Sequence, residues 1–189
     1  MIRIGILGDI GSGKSHVAKN FGYPVFNADE EVNKIYKKDK KIYVKLKKIL
    51  PKYINSFPIN KNELIMAILN SRNNLQKIIA IVHLEVKKRI SFFLKKNKNK
   101  KIVILDIPLL LENKLNKKND ILVFVDSSQK EILRRLKKRK NFNRRLIKKF
   151  KNIQLPLDYK KKKSQFIIKN KFNAKSINNS IQYILNKIL

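Results

Sequence analysis

The sequence predicts a three-layer α/β domain in which helices cover a five-stranded parallel sheet. Short apolar runs rich in β-branched residues recur along the chain, which is typical of strands buried on both faces. Helical patterns separate these runs, and strands that alternate with helices form parallel sheets with right-handed crossovers. The first run leads directly into a glycine-rich loop followed by the start of a helix.

The strands follow from the apolar runs in chain order. We place them at residues 2–7, 23–27, 101–107, 121–126 and, with the weakest pattern, 166–168. The second run leads into Ala28 and Asp29. The third is stopped by Pro108, because proline cannot donate a hydrogen bond to a strand ladder.

The loop after the first strand matches G-x-x-x-x-G-K-[ST], a pattern whose backbone amides wrap the phosphates of a nucleotide. The predicted ATP-binding residues here are Gly8, Asp9, Ile10, Gly11, Ser12, Gly13, Lys14, Ser15 and His16. The glycines allow close backbone approach, Lys14 reaches the β- and γ-phosphates, and the Ser15 hydroxyl ligates Mg²⁺. The helix that starts at Ser15 favours anions at its N-terminus. The alternative, a chance glycine-rich turn, does not account for the strand and helix on either side.

Length and composition narrow the class of protein further. The 189 residues are 43% hydrophobic and include no cysteine, so a disulfide framework and a thiolate metal site are excluded. No apolar run approaches the roughly 18 residues of a membrane span, and the N-terminus reads as a strand rather than a signal peptide. We therefore expect a soluble cytoplasmic protein without a membrane partner.

The formal net charge of +33 favours an anionic partner such as nucleic acid. The charge is unevenly distributed, since residues 1–36 contain four basic and four acidic residues. Lys, Asn and Ile are abundant throughout and share A/T-rich codons, so base composition accounts for much of the lysine. The aromatic residues do not form the interleaved series of single-strand binders, and a nucleic-acid role is therefore disfavoured.

Two connections are too long for a bare crossover. About seventy residues separate Asp29 from Lys101, and their patterns are mostly helical. A long amphipathic helix is predicted by apolar residues three or four apart, namely Leu75, Ile78, Ile79, Val82, Val86, Ile90 and Leu94. Shorter helices are predicted before Pro51 and over 64–69. We interpret residues of about 33–98 as a helical insert that holds a second substrate.

The second long connection covers about 127–155. Ser128 and Glu131 form a capping box, and Asn143 can cap the next helix. Between Arg134 and Lys163 there are fifteen basic residues and one acidic residue. We interpret the connection as a basic lid over the triphosphate. A final helix is predicted to be capped near Ser176.

Four side chains outside the loop are candidates for phosphoryl-transfer chemistry. Arg135 and Arg139 are four residues apart, which predicts one helical face aimed at a phosphate; the alternative is a solvated charged face. Asp29 lies at a strand end, where open α/β sheets bind ligands, and could accept the acceptor's proton; the alternative is a helix cap. Asp106 ends an apolar strand and could hold a water bound to Mg²⁺; the alternative is that it serves only as a cap.

Three features favour a small-molecule kinase over a motor or a switch. The chain is short and begins at the loop, a helical insert follows the second strand, and a basic arm precedes the fifth. Phosphoryl transfer needs positive charge on the phosphate oxygens, an oriented nucleophile and exclusion of water. The predicted elements can supply all three.

Several motifs resemble those of the dephospho-CoA kinase family, in the same order over almost the whole chain. They are residues 8–15, Asn27-Ala28-Asp29, Val82-His83, the block from Leu105 to Glu112, Arg135 with Arg139, Gln154, and the block from Phe166 to Asn170. The Asp-Ile-Pro-Leu-Leu-x-Glu block is the most specific, because generic P-loop proteins lack it. The resemblance implies transfer of the ATP γ-phosphate to the 3′-hydroxyl of dephospho-CoA, which gives coenzyme A in the last step of its synthesis. It implies a P-loop NTPase fold with a CoA-binding helical insert and a helical lid.

The resemblance also implies roles for individual residues. The implied catalytic residues are Lys14, Asp29, Arg135 and Arg139, with Asp29 as general base and the arginines on the phosphates. Asn170 is implied near the adenine, and the implied acceptor-binding residues are Asp29, His83, Pro108, Leu109 and Glu112. The metal ion predicted from the loop motif and the strand end is Mg²⁺, on Ser15 and Asp106, and the partners that the resemblance implies are ATP and dephospho-CoA. We expect a monomer or a weak homo-oligomer.

The chain departs from the family pattern at a few positions. Leu84 follows His83 where the family usually has proline, Asn27 replaces an aspartate, and Ser164-Gln165 replaces an Ala-Asp pair. An arginine often found early in the insert is not evident near 61–64. These departures gather at the acceptor side. The alternatives are therefore a P-loop kinase of another metabolite, such as a nucleoside monophosphate, and a non-enzymatic nucleic-acid-binding protein.

Overall fold

The computed structural model describes residues 1–139 and 142–189. The strands are β1 (Ile2–Gly8), β2 (Val25–Asn27), β3 (Ile102–Asp106), β4 (Ile121–Asp126) and β5 (Phe166–Lys169). The helices of the described residues are α1 (Lys14–Asn20), α2 (Ala28–Lys38), α3 (Lys40–Ile49), α4 (Lys61–Asn70), α5 (Arg72–Lys96), α6 (Gln129–Lys137), α7 (Arg144–Lys151), α8 (Leu157–Lys163) and α9 (Ala174–Ile188).

The five strands form one parallel sheet in the order β2-β3-β1-β4-β5. The predicted α/β class and all five strands are therefore confirmed. Because the strands are parallel, their carboxyl ends meet at one edge, where open α/β sheets bind ligands. The residues at that edge are Gly8, Asn27, Asp106, Asp126 and Lys169.

The core lies against the sheet, where β1, β3 and β4 are buried along most of their length. One apolar cluster joins these strands to residues of α1 and α9, including Val17, Ile177 and Ile181. Leu110 packs directly over β1, because a Cβ on Gly5 would lie 2.5 Å from its Cδ2 atom. Burial of this apolar surface, at about 25 cal/mol per Å², supplies most of the stabilisation of such a core.

The chain divides into two compact units. The sheet unit comprises Met1–Asn27, Leu94–Phe142 and Gln154–Leu189. The helical unit comprises Ala28–Phe93 and Asn143–Ile153.

Within the helical unit, α5 buries one face formed by Leu75, Ile78, Val82, Val86 and Ile90. This is the apolar pattern that predicted the helix. The side chains of Asp39 and Asn60 cap α3 and α4 by accepting hydrogen bonds from backbone N–H groups, which satisfies donors that a helix start leaves unpaired. The local capping chemistry therefore sets where these helices begin.

The helices after β4 differ in part from the prediction. Ser128 and Asn143 cap α6 and α7 as expected. However, α6 ends at Lys137, and Arg139 lies beyond it with its N–H donating to the carbonyl of Leu136. The predicted single helical face for Arg135 and Arg139 is therefore wrong, because the helix stops one half-turn too early. Residues 140 and 141 of the predicted lid lie outside the described residues.

One helix start and one additional helix differ from the prediction. The last helix is capped by Asn173, whose Oδ1 accepts a hydrogen bond from the N–H of Lys175, and Ser176 lies inside it. The short helix α8 was not predicted, because its lysine-rich pattern carries little apolar periodicity.

In the part of the chain described here, no helix is both long enough and apolar enough to span a membrane.

Candidate active site

The loop from Gly8 to Ser15 is shaped by glycines that lie very close to other atoms. Gly8 and Gly13 have φ angles of 147° and 91°, in the region that other residues rarely adopt. A Cβ on Gly8 would lie 2.7 Å from the Ser12 Oγ and from the Val125 carbonyl oxygen. A Cβ on Gly13 would lie 2.5 Å from the Asn170 Nδ2. Side chains at these two positions would displace the loop from the sheet.

The ammonium group of Lys14 lies over the curve of this loop. Its Nζ donates to the carbonyl oxygens of Asp9 at 2.7 Å and Gly8 at 3.2 Å. Lys14 is the first residue of α1, and Ser15 and His16 are exposed in the same turn. The His16 Nε2 is hydrogen-bonded to Asn20 at 3.1 Å. The turn therefore presents a cation and a hydroxyl beside the backbone amides of the loop.

Asp9 is buried and organises the loop from inside. Its Oδ1 accepts from the N–H of Ile10 at 2.6 Å, and its Oδ2 accepts from Gln129 at 3.1 Å. The Ser127 hydroxyl donates to the Ser12 carbonyl at 2.9 Å. The sequence interpretation missed Gln129 and Ser127 as supports of the loop. Their position directly after β4 was the available signal, because β4 is the neighbour of β1.

Asn170, the residue after β5, connects the end of that strand to the loop. It is 3% exposed; its Nδ2 donates to the Ser12 carbonyl at 2.8 Å and its Oδ1 accepts from the N–H of Phe172 at 2.8 Å. The Phe172 ring in turn lies 4.1 Å from the guanidinium carbon of Arg135. Asn170, Phe172 and Arg135 therefore form a continuous line of contacts that begins at the loop. Phe172 was missed, since one aromatic residue in a loop carries no sequence signal.

Asp106 and Asn27 are paired at the ends of neighbouring strands. They are opposite each other in the register of β2 and β3, and Asn27 Nδ2 donates to Asp106 Oδ2 at 3.0 Å. Asp106 is 3% exposed. The amide at position 27 supplies a donor to this carboxylate, whereas an aspartate there would place a second negative charge at the same distance. This departure from the family pattern therefore has a local physical role.

The turns after β3 contain Pro108, Leu109 and Glu112. Pro108 and Leu109 are half-buried. The Glu112 Oε1 lies 2.6 Å from the Lys160 Nζ and accepts from the N–H of Leu155 at 3.0 Å. The Lys160 side chain is 1% exposed and that of Glu112 is 9% exposed. Glu112 is therefore part of a buried ion pair, and the sequence interpretation missed its partner because α8 was not predicted.

The remaining predicted residues lie in the helical unit. Asp29 is exposed in the first turn of α2. His83 is half-buried on α5, and its Nε2 is buried without a hydrogen-bond partner among the described residues. Burial, and secondarily the positive charge of Lys87, lowers the pKa of His83 below its ordinary value of 6.5. The imidazole is therefore neutral at neutral pH.

Comparison with known proteins identifies the family. A family model described as dephospho-CoA kinase matches residues 2–176. The chain belongs to the dephospho-CoA kinase family. It is 32% identical over 190 residues to the dephospho-CoA kinase of Wolbachia pipientis wMel, and the alignment covers 98% of this chain and 97% of that one.

Solved structures share the fold over the full length. The crystal structure of TT1252 from Thermus thermophilus has a TM-score of 0.80 and 26% identity, with 100% of this chain and 98% of the other covered. A dephospho-CoA kinase from Campylobacter jejuni has a TM-score of 0.65 and 20% identity, with 98% and 96% covered. The predicted P-loop fold, family and phosphotransferase class are thus confirmed. Family membership also supports ATP with a divalent metal ion as the donor system.

Proposed function

We propose that this protein phosphorylates the 3′-hydroxyl of dephospho-CoA with the γ-phosphate of ATP and releases coenzyme A and ADP. The observation that carries the proposal is the loop from Gly8 to Ser15 at the sheet edge, with Lys14 over its curve, in a chain of the dephospho-CoA kinase family. The new bond forms between the acceptor oxygen and the γ-phosphorus, while the bond from that phosphorus to ADP breaks.

Lys14 supplies positive charge to the transferring group. A phosphoryl-transfer transition state spreads negative charge over the equatorial oxygens, and a preformed cation stabilises it without reorganisation. Arg135 and Arg139 supply further positive charge from the basic segment of about 127–155, which we propose acts as a lid. Asn170, the loop residues and His16 bind the parts of ATP other than the transferred phosphate.

The acceptor side is assigned to the helical unit and the turns after β3. We propose that residues of about 33–98 form the CoA-binding insert, in which His83 offers a neutral imidazole to the acceptor. Asp29 takes the proton of the attacking hydroxyl as general base. Pro108 and Leu109 border the acceptor. The contact of Glu112 with the acceptor stays a prediction, and its ion pair with Lys160 also holds the turns in place.

Mg²⁺ is the divalent ion that we propose for this site. The Ser15 hydroxyl and the Asp106 carboxylate would hold it, directly or through water. Both are hard oxygen donors, and Mg²⁺ typically uses only one or two protein oxygens together with substrate phosphates and water. When bound, the ion neutralises charge on the β- and γ-phosphates.

Partners and location complete the proposal. ATP and dephospho-CoA are the substrates; a monomer or weak homo-oligomer, a cytoplasmic location and the lack of a nucleic-acid role stay predictions. The high positive charge would then serve to attract anionic substrates.

The decisive experiment measures ADP release by the purified protein with Mg-ATP. Release should depend on dephospho-CoA and should not occur with nucleoside monophosphates or polynucleotide. Activity with nucleoside monophosphates alone would instead favour a kinase of another metabolite. Absence of release with dephospho-CoA contradicts the proposal.

The role of Asp29 has a separate test. Asp29→Asn should lower kcat about 10²- to 10⁴-fold, as expected for loss of a general base, while the KM for ATP changes little. Glu30→Gln, in the same turn of α2, is the matched control. An unchanged kcat for Asp29→Asn rules out the general-base role.

A further inference from the structure

Arg135 is positioned by an aromatic ring and not by hydrogen bonds. Its guanidinium carbon lies 4.1 Å from the centre of the Phe172 ring, a distance typical of cation–π stacking. No side-chain hydrogen bond or ion pair joins the Arg135 guanidinium to any described residue. The five N–H donors of a stacked guanidinium stay in the plane of the group, so they are open to phosphate oxygens.

The Phe172 ring lies beside the phosphate-binding loop, and its backbone is held by Asn170. Phe172 has a φ of 58°, a left-handed conformation that is rare for a bulky residue. The hydrogen bond from its N–H to the Asn170 Oδ1 holds this conformation. The ring also borders the last glycine of the loop, because a Cβ on Gly13 would lie 3.3 Å from Phe172 Cε1.

Asn170 makes this arrangement rigid. It is almost fully buried, its N–H donates to the Asp126 carbonyl at 2.7 Å, and its side chain donates to Ser12 in the loop. The strained residue, the buried amide and the loop therefore form one continuous set of contacts. Unusual backbone conformations persist only where surrounding contacts determine them, and they are common at ligand-binding positions.

We infer that Phe172 is a positioning residue that holds the guanidinium of Arg135 ready for the ATP phosphates. The inference rests on the proposed use of ATP and goes beyond it by naming a specific support for Arg135. Ordering a free arginine costs conformational entropy on binding, and a ring that orders it beforehand lowers this cost. Phe172 thus contributes to ATP affinity without contacting the reacting atoms.

The test measures ATP and ADP affinity by calorimetry on the full chain without acceptor substrate. Phe172→Leu keeps an apolar side chain but removes the π face, and it should weaken ATP binding about 3- to 30-fold, the range expected for loss of a cation–π contact. ADP binding should weaken less, because ADP lacks the γ-phosphate that the proposed role assigns to the guanidinium. Phe172→Tyr should recover most of the lost affinity.

A double-mutant cycle separates positioning from a general structural effect. If Phe172 acts through Arg135, Phe172→Leu combined with Arg135→Met should bind ATP no more weakly than Arg135→Met alone. Full additivity of the two losses would overturn the inference. Tyr183→Leu, which removes the similar pair of Lys187 and Tyr183 on α9, is the matched control and should bind ATP like the natural chain.

A second variant guards against misfolding of Phe172→Leu. Arg135→Lys keeps the charge but loses the planar group, so it should lose ATP affinity to a similar extent. Unchanged ATP affinity in Arg135→Lys, or in a folded Phe172→Leu, contradicts the inference. Failure of the natural chain to phosphorylate dephospho-CoA would refute the proposed function only, since ATP binding is measured without the acceptor.

Discussion

Two ion pairs of the sheet unit are buried, whereas an ion pair of the helical unit is partly exposed. In the sheet unit, the pairs Arg3–Asp120 and Lys160–Glu112 have side chains that are at most 9% exposed. In the helical unit, the pair of Arg89 and Glu31 keeps 28% and 20% of its side-chain surface exposed.

The pKa directions show what each kind of pair does. Burial raises the pKa of Asp120 even though Arg3 opposes this, so desolvation outweighs the attraction. Burial also acts to raise the pKa of Glu31, but hydrogen bonds from Lys34 and Arg89 bring it below its ordinary value. Burial of the Arg3–Asp120 pair therefore carries a cost in desolvation, whereas half-exposed ion pairs typically stabilise a protein weakly.

The largest effect should come from breaking the most buried pair. Lys160→Met leaves the Glu112 carboxylate buried without its cation, and it should lower the free energy of unfolding by about 3–5 kcal/mol. Urea denaturation measures this. Glu112→Leu combined with Lys160→Met removes both charges and should recover most of the loss. A single variant within about 1 kcal/mol of the natural chain would show that the pair does not hold these turns.

The next effect concerns activity in the sheet unit, where a charge is preformed for the substrate. Lys14→Ala should lower kcat/KM about 10²- to 10³-fold, or about 3–4 kcal/mol, because the cation stabilises transition-state charge. The thermal midpoint should change little. Lys19→Ala, on the exposed side of α1, is the control and should remain close to the natural activity. Near-normal activity of Lys14→Ala would mean that this loop is not the catalytic one.

A smaller effect should appear in the helical unit as a pH dependence. Because the pKa of His83 is lowered in the folded state, the unfolded chain binds more protons than the folded chain does as pH falls. Stability from this residue is complete above its ordinary pKa of 6.5 and is lost as pH falls from there through the lower folded value. Urea denaturation at several pH values should show that the free energy of unfolding falls more steeply with decreasing pH for the natural chain than for His83→Gln. Identical slopes would exclude a desolvated imidazole.

The smallest effect is expected for the half-exposed pair. Arg89→Met should destabilise the chain by about 0.2–1 kcal/mol, and added salt should reduce the difference. Lys88→Met is the control, because Lys88 is 78% exposed and lies 3.9 Å from Glu85, so its loss should have almost no effect. A loss for Arg89→Met as large as that for Lys160→Met would remove the contrast between the buried and the half-exposed pairs.

Most of the fold followed from local patterns. The strands beside the loop, the long helix α5 and the caps at Ser128 and Asn143 depend on neighbouring residues in the chain, so periodicity and capping residues predicted them. The end of α6 was missed, and with it the position of Arg139. Helix ends depend on small differences in local energy that a charged, repetitive sequence does not reveal.

In the candidate site too, the local part was predicted and the contacts between distant residues were not. The loop was predicted residue by residue, because the tight turn and its lysine are contained in eight consecutive positions. The partners that support it come from distant parts of the chain: Gln129 contacts Asp9, and Asn170 contacts Ser12. Lys160 meets Glu112 although 48 positions separate 160 from 112 in the sequence.

The sequence by itself determined that this chain folds as an α/β protein with a phosphate-binding loop, and its motifs pointed to the dephospho-CoA kinase family. Only the tertiary structure decided which side chains support that loop and which carboxylates are paired. The physical reason is that strand and loop patterns are local, whereas a hydrogen bond or a buried ion pair depends on where the sheet order β2-β3-β1-β4-β5 brings distant segments together. Phe172 beside Arg135 is such a contact, and no pattern in the chain predicts it.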